Sequence, residues 1–167
     1  IIVRPHPEYV KRYGARWKKL QDQYKNISKD KLILQSDFSS NETVYSADVL
    51  ISDWSGIAFE YAFSTRKPVL FIDTPMKVAN PNYADTVAEP LNLTLRGKIG
   101  IQLKPEQTNQ VGKSLEYLLE HAADYSQKIA ELTDEYLYHM GHSGEIGGRY
   151  ILSSLQKKAK NKPQNLH

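Results

Sequence analysis

The chain has 167 residues, 40% of them apolar, and a formal net charge of +3. That length and composition suit one globular domain with a real core and exclude a disordered or fibrous chain. With no cysteine, disulfide frameworks, thiolate metal sites and cysteine nucleophiles are excluded, and no apolar run approaches the roughly 20 residues of a membrane-spanning helix. The basic charge is local. Lys157, Lys158, Lys160 and Lys162 crowd one end, and a second basic stretch lies between Glu8 and Asn26. A nucleic-acid binder would more often show one basic surface interleaved with base-stacking aromatics, and here the two basic segments lie far apart in sequence, which argues against that reading.

The sequence opens on Ile1-Ile-Val-Arg4, which reads as a buried strand already under way. A helix is predicted next, with Tyr9, Val10, Tyr13, Trp17, Leu20 and Tyr24 on one arc as core packing and lysines and arginines opposite. Short apolar runs at Lys31–Gln35, Asp48–Ser52, Pro68–Ile72 and Ile99–Leu103 suit strands buried on both faces. Strands alternating with helices give a doubly wound, Rossmann-like α/β fold, a parallel sheet with helices on both faces. From Asp73 to Lys98, a stretch holding Pro75, Pro81 and Pro90, no regular pattern is expected; loops of that length are commonly functional or mobile. The C-terminal third turns helical. A helix starts at Pro105 and carries Val111, Leu115, Leu118 and Leu119, a second runs around Ile129, Leu132 and Leu137, and a third follows Gly144. One domain over residues 1–156 is expected, lacking its first strand and followed by a basic, flexible tail over 157–167.

Ligands of open α/β sheets bind beyond the carboxyl ends of the strands, so chemistry is sought just after each apolar run. Arg4-Pro5-His6-Pro7 follows the first: arginine brings a permanent charge and a donor fork, and histidine can donate to phosphate or move a proton. The same four residues would also make a rigid turn with Pro7 at the first helical position. Asp53-Trp-Ser-Gly56 follows the third run and leads into a helix whose first N–H groups, with the Ser55 hydroxyl and the open space at Gly56, would suit a phosphate. Glu60, one turn further, could accept from ribose hydroxyls. Asp53 and Ser55 would equally serve as helix caps, and Glu60 would favour a first turn electrostatically. A third, weaker candidate for an anion is Ser143, Gly144 and Arg149 in the run His142-Ser-Gly-Glu-Ile-Gly-Gly-Arg149, which also reads as a plain Gly-rich linker. A response-regulator receiver is excluded, because Lys67-Pro68 comes too early and Arg-Pro-His-Pro stands where its acidic pair belongs. A nucleophile elbow, a Walker loop and a dinucleotide fingerprint are absent from the sequence, and no histidine pair has metal-ligand spacing with acidic support.

These motifs, namely Arg4-Pro-His-Pro7, Asp48-Val-Leu-Ile-Ser-Asp-Trp-Ser-Gly-Ile-Ala-Phe-Glu60, Lys67-Pro-Val-Leu-Phe-Ile72 and His142-Ser-Gly-Glu-Ile-Gly-Gly-Arg149, resemble the CDP-glycerol glycerophosphotransferases, which include the teichoic-acid polymerases. Their order and spacing span most of the chain. Trp54 and Gly56 depart from the tyrosine and serine more usual in that family. The resemblance implies the C-terminal, donor-binding half of a GT-B architecture, completed by an N-terminal acceptor domain. It implies transfer of glycerol phosphate from CDP-glycerol to a hydroxyl of a lipid-linked or polymeric cell-surface acceptor, with no cofactor and no obligatory metal. It also implies a cytoplasmic protein held peripherally at the inner face of the membrane. On that reading Arg4, His6, Ser55 and Gly56 hold the donor phosphates, His6 serving catalysis, while Asp53 orients the turn and Glu60 binds ribose. Two alternatives stay open: a nucleotide-sugar glycosyltransferase or epimerase of the same fold, and a non-catalytic nucleotide-binding or docking module.

Overall fold

A computed structural model describes residues 1–76, 82 and 89–160. Every apolar run of the sequence contains a strand: β1 (Ile2–Val3), β2 (Ile33–Leu34), β3 (Leu50–Ser52), β4 (Val69–Ile72) and β5 (Gly100–Leu103). All pair in parallel, but in two sheets. β1 pairs with β2, and β3, β4 and β5 lie side by side in that order. The fold is a Rossmann-like parallel α/β arrangement with helices on both faces of the larger sheet.

Burial on both faces, expected of every strand, holds fully only in the middle of that sheet. Val69, Leu70 and Phe71 of β4 are inaccessible to solvent, whereas Ile2, Ile33 and Ile51 are 41%, 41% and 48% exposed. The reason is position: β4 has a neighbour on each edge, and β3 has a neighbour on one. Side chains alternate along β4. Val69 and Phe71 face a core built with Ala58, Tyr61 and Ala62 of α4 (Ile57–Thr65) and Ile129 and Leu132 of α8 (Ala122–Tyr136). Leu70 faces the other layer and packs with Leu103 and with Leu118 of α7 (Val111–Glu120).

Helix α4 ends where Arg66 adopts a left-handed conformation at φ 57°, and Pro68 then forces the chain into β4. Lys67 donates from Nζ to the Ala47 carbonyl at 2.8 Å, and the Tyr61 hydroxyl donates to the same oxygen at 3.0 Å. Burial raises the Tyr61 pKa above its ordinary value, which keeps the hydroxyl a donor. The lysine of Lys67-Pro68 therefore fastens the amino end of β3, at the opposite end of the strand from Asp53.

The long helix expected from Tyr9 to Tyr24 is two helices, α1 (Pro7–Arg12) and α2 (Gly14–Tyr24), broken at Tyr13 (φ −128°, ψ 36°) beside the weak helix former Gly14. Its aromatic stripe is not core: Tyr9, Tyr13 and Tyr24 are exposed, and only Trp17 is buried, donating from Nε1 to Ser36 Oγ at 3.0 Å. A short helix α3 (Glu42–Ser46) precedes β3. The stretch from Asp73 to Lys98, read as patternless, contains the short helices α5 (Leu91–Thr94) and α6 (Arg96–Ile99); its residues 77–81 and 83–88 lie outside the described residues. Pro105 opens a 3₁₀ turn through Gln110, which leads into α7. The last helix, α9 (Ser143–Lys160), includes Lys157 and Lys158, while 161–167 lie outside the described residues. Leu152 and Leu155 on it are 62% and 58% exposed. Among the described residues, no helix is long and apolar enough to cross a membrane.

Gly100 opens β5 directly opposite Val69, and a Cβ there would sit 1.7 Å from the Val69 carbonyl oxygen. Only a residue without a side chain lets the two strands approach. Gly100→Ala is expected to lower the melting temperature sharply or to abolish cooperative unfolding. Gly112→Ala, whose Cβ would meet nothing within 4 Å, should leave it unchanged or slightly higher. Circular-dichroism melts of the two variants check this.

Candidate functional site

The carboxyl ends of β1 and β3 open onto one cavity of about 830 Å³. Arg4, Pro5, His6 and Pro7 line it from the first sheet, and Ser52, Asp53, Ser55 and Ile57 from the second. Two candidate segments separated by nearly fifty residues thus share one space. Tyr9 and Tyr13 line it too, their rings 5.3 Å apart, which accounts for the exposure of aromatics that the helical pattern assigns to the core.

His6 caps α1. Its Nδ1 accepts from the Glu8 N–H at 3.1 Å, while Pro7 occupies the first helical position. An accepting Nδ1 places the proton of the neutral ring on Nε2, so the exposed edge of the imidazole is a donor. Arg4 is half-buried, with Cζ 5.6 Å from the Phe38 ring centroid. Its Nη1 is the buried side-chain polar atom that finds no hydrogen-bond partner among the described residues. Asp37, with its pKa held low chiefly by a hydrogen bond from the Ser39 N–H at 2.9 Å, feels the Arg4 charge only weakly. A buried guanidinium nitrogen without an acceptor is costly, and the side chain that carries it is among those lining the cavity.

Across the cavity, Asp53 folds back on its own turn and accepts from the Ser55 N–H at 3.1 Å through Oδ1. That bond fixes the approach to α4, whose cap residue Gly56 receives no side-chain cap. The Ala58 and Phe59 N–H groups bond back to the Ser55 and Gly56 carbonyls at 3.3 and 3.0 Å. The N–H groups of Gly56 and Ile57 precede the first intrahelical bonds and face no protein acceptor among the described residues. A Cβ at Gly56 would meet nothing within 4 Å, which leaves the space beside this helix start open. Of the other carboxylates on the cavity, Glu8 is engaged by Lys11 at 2.9 Å and by Arg12 at 3.6 Å.

Glu60 is exposed one turn into α4 and does not line this cavity. Neither do Ser143, Gly144 and Arg149 at the start of α9. The Ser143 hydroxyl donates to the Tyr138 and His139 carbonyls, each at 2.9 Å, and Arg149 pairs with Glu145 one turn before it.

The sequence reading misses Arg96. This arginine, 1% exposed, sits between the rings of Trp54 and Phe71, with Cζ 3.9 and 4.1 Å from their centroids. It donates to the Asp53 carbonyl from Nη1 at 2.9 Å and to Gln102 Oε1 from Nε at 3.2 Å, and its Nη2 pairs with the Asp73 carboxylate. Trp54 donates from Nε1 to the Thr74 carbonyl at 2.6 Å.

The profile of the family described as CDP-glycerol:poly(glycerophosphate) glycerophosphotransferase matches residues 1–140. The chain belongs to that family. Comparison with curated proteins and with solved structures gave no match. The family is one of transferases, and its matched region takes in β1 to β5 and both walls of the cavity. Within this glycerophosphotransferase fold, the Asp53–Ser55 bond makes a specific demand. Asp53→Ala is expected to destabilise the protein by about 1 kcal/mol, whereas Asp53→Asn, which keeps an accepting oxygen, should lose less. Urea denaturation of both variants measures the difference.

Proposed function

We propose that this chain supplies the donor site of a glycerophosphotransferase acting in cell-surface polymer synthesis, with CDP-glycerol as donor. The observation that carries the reading is the shared cavity, lined by Arg4 with its unpartnered guanidinium nitrogen, by His6 and by the start of α4. A pyrophosphate placed there gains the Arg4 charge on one side and the free N–H groups and Ser55 hydroxyl on the other. The cavity volume, about 830 Å³, is within the usual range for a nucleotide-sized ligand.

In the reaction an acceptor hydroxyl attacks the β-phosphorus of CDP-glycerol. A new phosphorus–oxygen bond forms to the acceptor, the bond to the bridging oxygen breaks, and CMP departs with that electron pair. Negative charge grows on the bridging and non-bridging oxygens, so donors already aimed at the pyrophosphate lower the barrier. His6, protonated on Nε2 in its neutral form, acts here as a donor to a phosphate oxygen. The proton of the attacking hydroxyl goes to a base that we place on the acceptor side, outside this chain's own site. Glu60, set one turn along α4, is proposed to take the ribose hydroxyls of a nucleotide that extends beyond the cavity. Association with the inner membrane face, where such acceptors would be met, belongs to the same reading.

Titration calorimetry with CDP-glycerol, CMP, cytidine, UDP-sugars and ADP tests the proposal. CDP-glycerol and CMP should bind in preference to UDP-sugars and ADP, and the opposite order would favour a nucleotide-sugar enzyme of the same fold. His6→Ala is expected to weaken CDP-glycerol more than cytidine, and Glu60→Ala to weaken both, each by about 1 to 3 kcal/mol. Equal losses of CDP-glycerol and cytidine affinity in His6→Ala would remove histidine from the phosphates.

A further inference from the structure

Arg96 carries a charge that the core does not need. An apolar side chain between Trp54 and Phe71 would fill the same space without the cost of dehydrating a guanidinium, and buried ion pairs seldom repay that cost in stability. Its bonds all run to one edge of the sheet. The Asp53 carbonyl lies just past β3, Asp73 just past β4 and Gln102 within β5. These are the carboxyl ends, where Asp53 and Ser55 of the turn line the cavity; Gly56, between Ser55 and Ile57, is not among its lining residues.

The turn is thus held from both sides. On the cavity side the Asp53 carboxylate accepts from the Ser55 N–H, and on the core side the Asp53 carbonyl accepts from Arg96 Nη1. The next residue, Trp54, has the same guanidinium over its ring, with Cζ 3.9 Å from the centroid, and donates to the Thr74 carbonyl after β4. We propose that Arg96 is a positioning residue for phosphate binding: through the Asp53 carbonyl and the Trp54 ring it fixes the peptide groups that present Ser55 and Gly56 to the donor pyrophosphate. This rests on the donor-site reading above, and Arg96 itself touches no ligand in it. Lysine cannot replace it, since one ammonium lacks the planar fork that reaches three acceptors and stacks between two rings.

The test uses the full chain with Arg96→Lys, and with Asp73→Asn as a milder second variant that keeps the guanidinium and removes its counter-charge. Binding of CDP-glycerol and of cytidine is measured by calorimetry at a temperature where circular dichroism shows each variant folded, alongside amide hydrogen exchange of residues 54–57. In Arg96→Lys, CDP-glycerol affinity should fall about tenfold or more while cytidine affinity stays within about twofold, and the Ser55 amide should lose protection. Unchanged CDP-glycerol affinity in a folded variant, or equal loss for both ligands, overturns the proposal. Should Arg96→Lys not fold, the same two criteria apply to Asp73→Asn. If the unaltered protein binds no CDP-glycerol, the donor-site reading fails by itself. Hydrogen exchange still decides on Arg96, because protection at 54–57 unchanged by the substitution shows that it does not hold the turn.

Discussion

A guanidinium cannot be taken out of water unless its charge and its N–H groups are met, and the carboxyl end of the larger sheet is organised around that requirement. Arg96 gives up its hydration and receives in return two aromatic faces, a carboxylate, a backbone carbonyl and an amide oxygen. The three hydrogen-bond acceptors come from three different strands or the residues just past them, so β3, β4 and β5, of three or four residues each, converge on one ion. Losing any one of the three acceptors would strand a buried donor, and the cost of that exceeds what the bond itself contributes. The residues that terminate β3 and β4 are therefore chosen by electrostatics as much as by strand propensity.

Much of the fold was legible because local chemistry and tertiary context agree. Val69-Leu-Phe-Ile72 is apolar without interruption and is the fully covered strand, while Pro68 and Pro105 mark the beginnings of the elements they precede. The errors arose where the two diverge. Tyr9, Tyr13 and Tyr24 keep helical spacing with Trp17, yet only Trp17 finds a covering partner; a periodic pattern records which residues share an arc and not what lies opposite. Likewise, nothing in the runs that form β1 and β3 says that they belong to separate sheets, since pairing is a property of two segments and not of one.

The site divides in the same manner. Arg4, His6, Asp53 and Ser55 were readable because a strand end followed by Pro, Gly or small polar residues advertises itself, and the topological rule then says where to look. The bond from the Ser55 N–H to the Asp53 carboxylate follows a two-residue spacing that such turns favour. Arg96 offered no comparable signal. It lies 43 residues from the carbonyl it engages and 23 from its carboxylate, inside a stretch that looks irregular. Its neighbours Leu95, Gly97 and Lys98 give it the appearance of an ordinary surface arginine. Glu60 shows the reverse case: its place one turn into α4 is as the sequence implies, but a helix turns its residues through 100° each, and position along the axis does not decide which side faces the cavity.

The division of the strands into two sheets has a mechanical consequence. Among the described residues, no ladder of backbone hydrogen bonds joins the β1–β2 pair to β3, and the cavity occupies the seam between them. A dianion gripped by Arg4 on one side and by the start of α4 on the other would act as a removable staple across that seam. Ligand occupancy would then add cohesion between the halves in proportion to RT ln(1 + [L]/Kd), about 2.7 kcal/mol at a hundredfold excess over Kd. On the donor-site reading, release of the ligand would withdraw that cohesion from the seam.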